Sequence, residues 1–183
     1  MKGSTLLLLV VGAVAAYQFT AGNSTQVHVA GDGELSYPGY QIRSLESFDL
    51  SGRVLSRKNY RMGREADLSP LDLAMGWGEM ADPDVLADIE VSQRNRWYFW
   101  QAQQMPIARR AIETQSANIH IIAANETVAR QLQNIAAHDE VRLRGDLVEV
   151  RADDGWRWRS SLSRTDTGRG ACEVLLLHDL EWI

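Results

Sequence analysis

Residues 48–60 read FDLSGRVLSRKNY, an imperfect alternation of apolar and polar positions interrupted by Gly52. A period of two marks a strand with one solvated face, and a glycine inside it marks a bend. A long, curved strand is therefore predicted. The next segment carries start signals for two short helices. Ser69-Pro70 places a cap residue before proline at a first helical position, with Gly76 available to end that helix. Asp82-Pro83 repeats the device ahead of residues 85–89.

Residues 97–100 are Trp-Tyr-Phe-Trp, a strand by composition. Aromatic groups on both faces predict a central strand buried on both sides. Residues 118–123 (NIHIIA) predict a further short strand, and Asn125 caps a predicted helix over 126–136. On that helix Val128, Leu132 and Ile135 fall along one stripe. The rest reads as a meander. Over 140–151 (EVRLRGDLVEVR), Val141 and Leu143 face inward, Arg142 and Arg144 outward, and Gly145 permits a bend. Asp153-Asp154-Gly155 is a hairpin turn. Residues 156–162 return, and 171–178 (ACEVLLLH) form the last strand. Helix, glycine-bent strand, then hairpin is how small five-stranded barrels of the oligonucleotide/oligosaccharide-binding (OB) type are built. The expected class is α+β and β-rich: an OB-like antiparallel barrel with several short helices over residues 46–183.

Ahead of that domain the pattern changes. Residues 5–16 run TLLLLVVGAVAA without a charge, after a single Lys2. A helix over 5–19 would reach roughly 22 Å, short of a hydrocarbon core of about 30 Å. Ala13-Val14-Ala15 has the small-x-small form of a cleavage site. Residues 1–19 are thus read as a signal peptide or a membrane anchor behind an N-terminal hydrophobic helix. Residues 20–45, punctuated by Gly31, Gly33, Pro38 and Gly39, read as a linker with one strand. In either case Lys2 stays in the cytoplasm and the domain is exported. The expected location is a bacterial inner membrane facing the periplasm, or the periplasm itself.

Composition adds limits. A net charge of -5 provides no global basic field, so nucleic acid is not an expected partner. One cysteine excludes an internal disulfide. Residues 65–90 carry eight acidic and no basic side chains, whereas 41–64 carry six basic and two acidic ones. That split marks two docking faces or merely solvated loops of opposite sign.

Residues 116–123 (SANIHIIA), 141–150 (VRLRGDLVEV) and 158–173 (WRSSLSRTDTGRGACE) resemble an uncharacterised family of bacterial envelope proteins with an N-terminal hydrophobic segment. Residues 73–78 (LAMGWG) and 95–100 (NRWYFW) share the likeness, which extends over about two-thirds of the chain. The resemblance implies an envelope location and a compact domain. It implies no activity and assigns no site residue.

Candidate chemistry is sparse. Asp166-Thr167-Gly168 has the letters of an aspartic-protease triplet, but Ser163-Arg164-Thr165 replaces the apolar strand such a loop needs, and there is no second copy. It reads as a hairpin loop. His120 and Cys172 are weak candidates for a thiol–imidazole pair of the kind used by envelope transpeptidases on β-barrels. A reactive thiolate needs positive charge beside it. Cys172 alternates with Val174 and Leu176, which predicts an inert sulfur enclosed by aliphatic side chains. His28, His138 and His178 show no metal-ligand spacing, and no phosphate loop or nucleophile elbow appears, so neither metal nor cofactor is expected. Trp156 and Trp158 share one face of their strand and Arg157 and Arg159 the other. With Arg142 and Arg144 on the neighbouring strand, four guanidinium groups are expected along one barrel face, where forked donors suit an anionic ligand. A solvated face paired to Glu149 or Glu173 is the plainer alternative.

The expectation is a non-catalytic envelope domain, anchored through residues 5–19 if these are retained, that binds a protein partner or an anionic ligand. A cysteine-dependent hydrolase or transpeptidase using Cys172 and His120 is the alternative. A structural subunit of an envelope assembly is a third.

Overall fold

A short hairpin, β1 (His28–Val29) and β2 (Leu35–Ser36), leads into β3 (Tyr40–Asn59) in the computed structural model, which describes residues 28–29, 33–163 and 171–183. The long curved strand is present and begins earlier than the supposed linker allows. Its 20 residues pass two register shifts, at Ser44/Glu46 and Val54/Ser56. Helix α1 (Arg64–Leu68) follows, then β4 (Leu71–Gly76).

Strand β4 occupies the place of the helix predicted from Ser69-Pro70. Leu71, Leu73 and Met75 alternate with Asp72 and Ala74, and all six of its residues are buried. Three large apolar side chains buried in register stabilise the strand by roughly 2 kcal/mol each, and this outweighs a cap signal. The second signal does start a helix. Helix α2 (Pro83–Leu86) is capped by the Asp82 side chain, which accepts from the Asp84 amide at 2.9 Å.

Strands β5 (Ile89–Arg94) and β6 (Trp97–Ala102) form a separate two-stranded hairpin. The Trp-Tyr-Phe-Trp run is therefore a strand, but not a central one. Tyr98 and Trp100 pack inward with Leu55, Met80 and Ile112. Trp97 and Phe99 remain 38% and 41% exposed, and Arg94 lies 4.6 Å over the Phe99 ring. The Arg94 guanidinium lies over Phe99, and among the described residues the hairpin pairs with no further strand.

Except for the helix at Arg109–Thr114, for which no sequence signal is read, the remaining elements follow the sequence closely. Helix α3 (Arg109–Thr114) precedes β7 (Ser116–Ala123). Asn125 caps α4 (Glu126–Asn134) by accepting from the Val128 amide at 2.9 Å, and Val128, Leu132 and Ile135 are buried along one stripe. Then come β8 (Glu140–Ala152), β9 (Arg157–Arg159) and β10 (Glu173–Trp182).

Strand β10 pairs with β7 in parallel and with β8 antiparallel, so the sheet turns back on itself. Each of β3, β4, β7, β10 and β8 has two partners, and β9 adds to β8 beyond the end of β10. Leu50, Leu73, Ile119, Ile121, Leu143 and Leu175 fill one cluster, and Ile122, Val148, Val150 and Val174 fill a second together with Trp156 and Trp158. Gly145 lets β8 and β10 approach closely, since a Cβ there would lie 2.1 Å from the Leu176 carbonyl oxygen. Among the described residues no helix is long and apolar enough to cross a membrane. Residues 1–19 and the Asp166-Thr167-Gly168 triplet lie outside the described residues.

Candidate functional site

The hairpin β8–β9 turns at Gly155, whose φ of 89° favours glycine. It sets Arg157 opposite Arg151 and Arg159 opposite Glu149. On the other side of β8, β3 sets Arg43 opposite Glu149. Four guanidinium groups thus converge on one carboxylate. Arg43 and Arg151 each reach Glu149 Oε2 at 2.9 Å, Arg159 reaches Oε1 at 3.5 Å, and Arg157 bonds Oε1 as well. The Glu149 side chain is fully covered by these partners, while the arginine side chains remain 60%, 56%, 52% and 42% exposed, in the order Arg43, Arg151, Arg157, Arg159. The Arg43 hydrogen bond, helped by the charges on Arg151 and Arg157 and opposed by burial, holds the Glu149 carboxyl at about 2. Four cations facing one anion leave an excess of three positive charges on a chain whose net charge is -5.

The expected single row of Arg142, Arg144, Arg157 and Arg159 does not form. Successive side chains of a strand point to opposite faces. Arg142 and Arg144 occupy even positions of β8, whereas Glu149 and Arg151, the partners of Arg159 and Arg157, occupy odd ones. The two arginine pairs therefore project from opposite faces. Arg142 makes a forked pair with Asp49 at 2.8 and 2.6 Å, and Arg144 pairs with Asp179 and Glu181. These carboxylates neutralise the first pair and leave the quartet as the strongly basic face. The sequence offers Glu149 as a partner of Arg157 and Arg159, as observed, but Arg43 and Arg151 went unread in it. Counting outward from the Asp153-Asp154-Gly155 turn would have paired 151 with 157 and 149 with 159. Only the β3 register brings in Arg43.

A second polar cluster lies beneath the β5–β6 hairpin. Asp72, fully buried on β4, accepts from Arg96 Nη1 at 2.6 Å and from Asn118 Nδ2 at 3.4 Å. His120 Nδ1 lies 3.0 Å from Asp72 Oδ2. The imidazole is buried, 5.0 Å from the Trp158 ring. Arg96 sits in the hairpin turn with φ 68°, after Asn95 with φ 51°, and its guanidinium also donates to the Ser69 carbonyl at 2.8 Å. Asp72 and Arg96 carry no sequence motif. The folded register brings them together.

Cys172 departs from the aliphatic enclosure expected of it. Strand β10 starts at Glu173, so the sulfur sits at the strand mouth, half-buried, 3.9 Å from the Arg96 carbonyl oxygen. It lines a groove of about 570 Å³ together with Trp97, Trp100, Asn118 and Glu173. Val174 is the register partner of His120, and Cys172 lies two residues before it. Among the described residues no group of three or more His, Cys, Asp and Glu side chains is placed to hold a metal ion.

No family model, curated protein or solved structure matches this chain.

Proposed function

We propose that the chain is a non-catalytic binding module of the bacterial envelope, built on an OB-like barrel whose strands are antiparallel except for the β7–β10 pair, and that its anionic ligand is held by Arg43, Arg151, Arg157 and Arg159. The observation that carries this reading is the convergence of four half-exposed guanidinium groups on one covered carboxylate. Glu149 holds the forks in place while their outer donors face solvent. Preorganised forks bind oxyanions with less entropy lost per hydrogen bond. The order of pairings, with a helix between the third and fourth strands of the ring, supports the OB-like assignment. Residues 5–19 deliver the domain to the envelope as an export signal or an anchor.

The test is titration of the protein with a soluble anionic polymer. The double variant Arg43→Gln/Arg157→Gln is expected to weaken binding about tenfold, or about 1.4 kcal/mol. Arg142→Gln/Arg144→Gln is expected to leave it unchanged. Equal affinity in all three proteins overturns the assignment. A cysteine-dependent reaction remains the second reading, favoured by Asp72 at 3.0 Å from the His120 ring and by the opening of Cys172 to a groove. Cys172→Ser is expected to leave anion binding intact. An acyl adduct on Cys172 after incubation with envelope peptides would establish the hydrolase or transpeptidase instead.

A further inference from the structure

We infer that the Arg43–Arg151–Arg157–Arg159 face docks on anionic phospholipid headgroups of the membrane reached by residues 5–19, an inference that rests on the anion-binding reading above. The first argument is the tether. Eight residues, 20–27, separate the apolar segment from β1, and fully extended they span at most about 28 Å. A domain of this size has a radius of gyration of about 15 Å. The domain is therefore held within about 28 Å of a membrane that retains residues 5–19, close enough for one of its faces to meet the headgroups.

Charge selects which face. The chain as a whole is acidic, at -5, and the quartet opposes that balance with an excess of three positive charges. A negative lipid surface attracts this face within a screening length of about 8 Å.

The shape of the face fits a plane better than a cleft. The four arginines come from three adjacent strands and two successive outward rungs, an area of about 10 by 7 Å between Cα positions. Each fork can take the two free oxygens of a separate phosphodiester, and lipids can diffuse in the plane to meet it.

The experiment uses the full chain reconstituted in phosphatidylcholine nanodiscs, with or without phosphatidylglycerol. Phenylglyoxal labelling of each arginine is followed by mass spectrometry. Arg130, on α4 and 66% exposed, is the internal reference. Phosphatidylglycerol is expected to slow labelling of Arg43, Arg151, Arg157 and Arg159 about threefold or more relative to Arg130. The protection should vanish at about 0.5 M salt, where the screening length falls to about 4 Å. Equal labelling in the two lipids overturns the inference. A parallel arm adds polyphosphate to the chain in neutral detergent. Protection by polyphosphate without protection by phosphatidylglycerol overturns lipid docking and leaves the anion site standing. Protection by neither overturns both.

Discussion

Asp72 is the residue on which the β5–β6 hairpin is pinned. It is fully buried and meets Arg96 at 2.6 Å, while the Arg96 side chain is only 18% exposed. Removing one partner of a buried pair strands the other charge. Asp72→Ala is therefore expected to cost about 3–5 kcal/mol in denaturant unfolding. The double variant Asp72→Leu/Arg96→Met should recover most of that loss, because it leaves no orphaned charge. A double variant as unstable as the single one would mean that packing, not charge, holds the hairpin. Glu149 sets a pH dependence. Its folded value of about 2 lies below the ordinary 4.5, so its contribution to stability is complete above about 4.5. It is lost as pH falls from there toward 2, where the folded carboxyl takes up its proton. Acid titration of unfolding should show this loss in the native chain and not in Glu149→Gln.

Among the elements, two glycines separate steric from conformational demand. Gly145 lies where β8 meets β10, and a Cβ would stand 2.1 Å from the Leu176 carbonyl oxygen. Backbone cannot yield there without parting the strands, so Gly145→Ala is expected to cost about 1–3 kcal/mol. Gly155 has open space around its Cβ position but a φ of 89°. Gly155→Ala is expected to cost about 1–2 kcal/mol through backbone strain alone. The first variant should loosen the contact between β8 and β10, the second only the β8–β9 turn. Amide exchange resolved along β8 distinguishes them, and equal exchange patterns would refute the assignment of causes. The mistaken helix at 69–76 belongs to this scale too. Ser69-Pro70 is a true local signal, but alternation in the next six residues buries more apolar surface as a strand. In the Trp-Tyr-Phe-Trp segment composition revealed a strand and misplaced it, because β6 pairs only with β5, and pairing is not encoded in composition.

At the scale of the whole molecule, the distribution of charge matters more than its total. A chain of net charge -5 gathers four arginines around one glutamate, so affinity for an anionic surface should fall steeply with salt while fold stability changes little. Anion binding that is insensitive to salt would contradict an electrostatic site. By itself the sequence determined the local outcomes: the long bent strand, the caps at Asp82 and Asn125, the turn at Gly155, and the opposed faces of Trp158 and Arg157. Each of these depends on neighbours within a few residues, where period, capping and turn chemistry act. Tertiary structure alone decided that β10 would pair with both β7 and β8, that Asp72 would meet Arg96, and that Arg43 would join Arg157 and Arg159 while Arg142 and Arg144 were neutralised on the opposite face. Those outcomes depend on the register between strands distant in the chain, and register is chosen by burial of the whole apolar set at once.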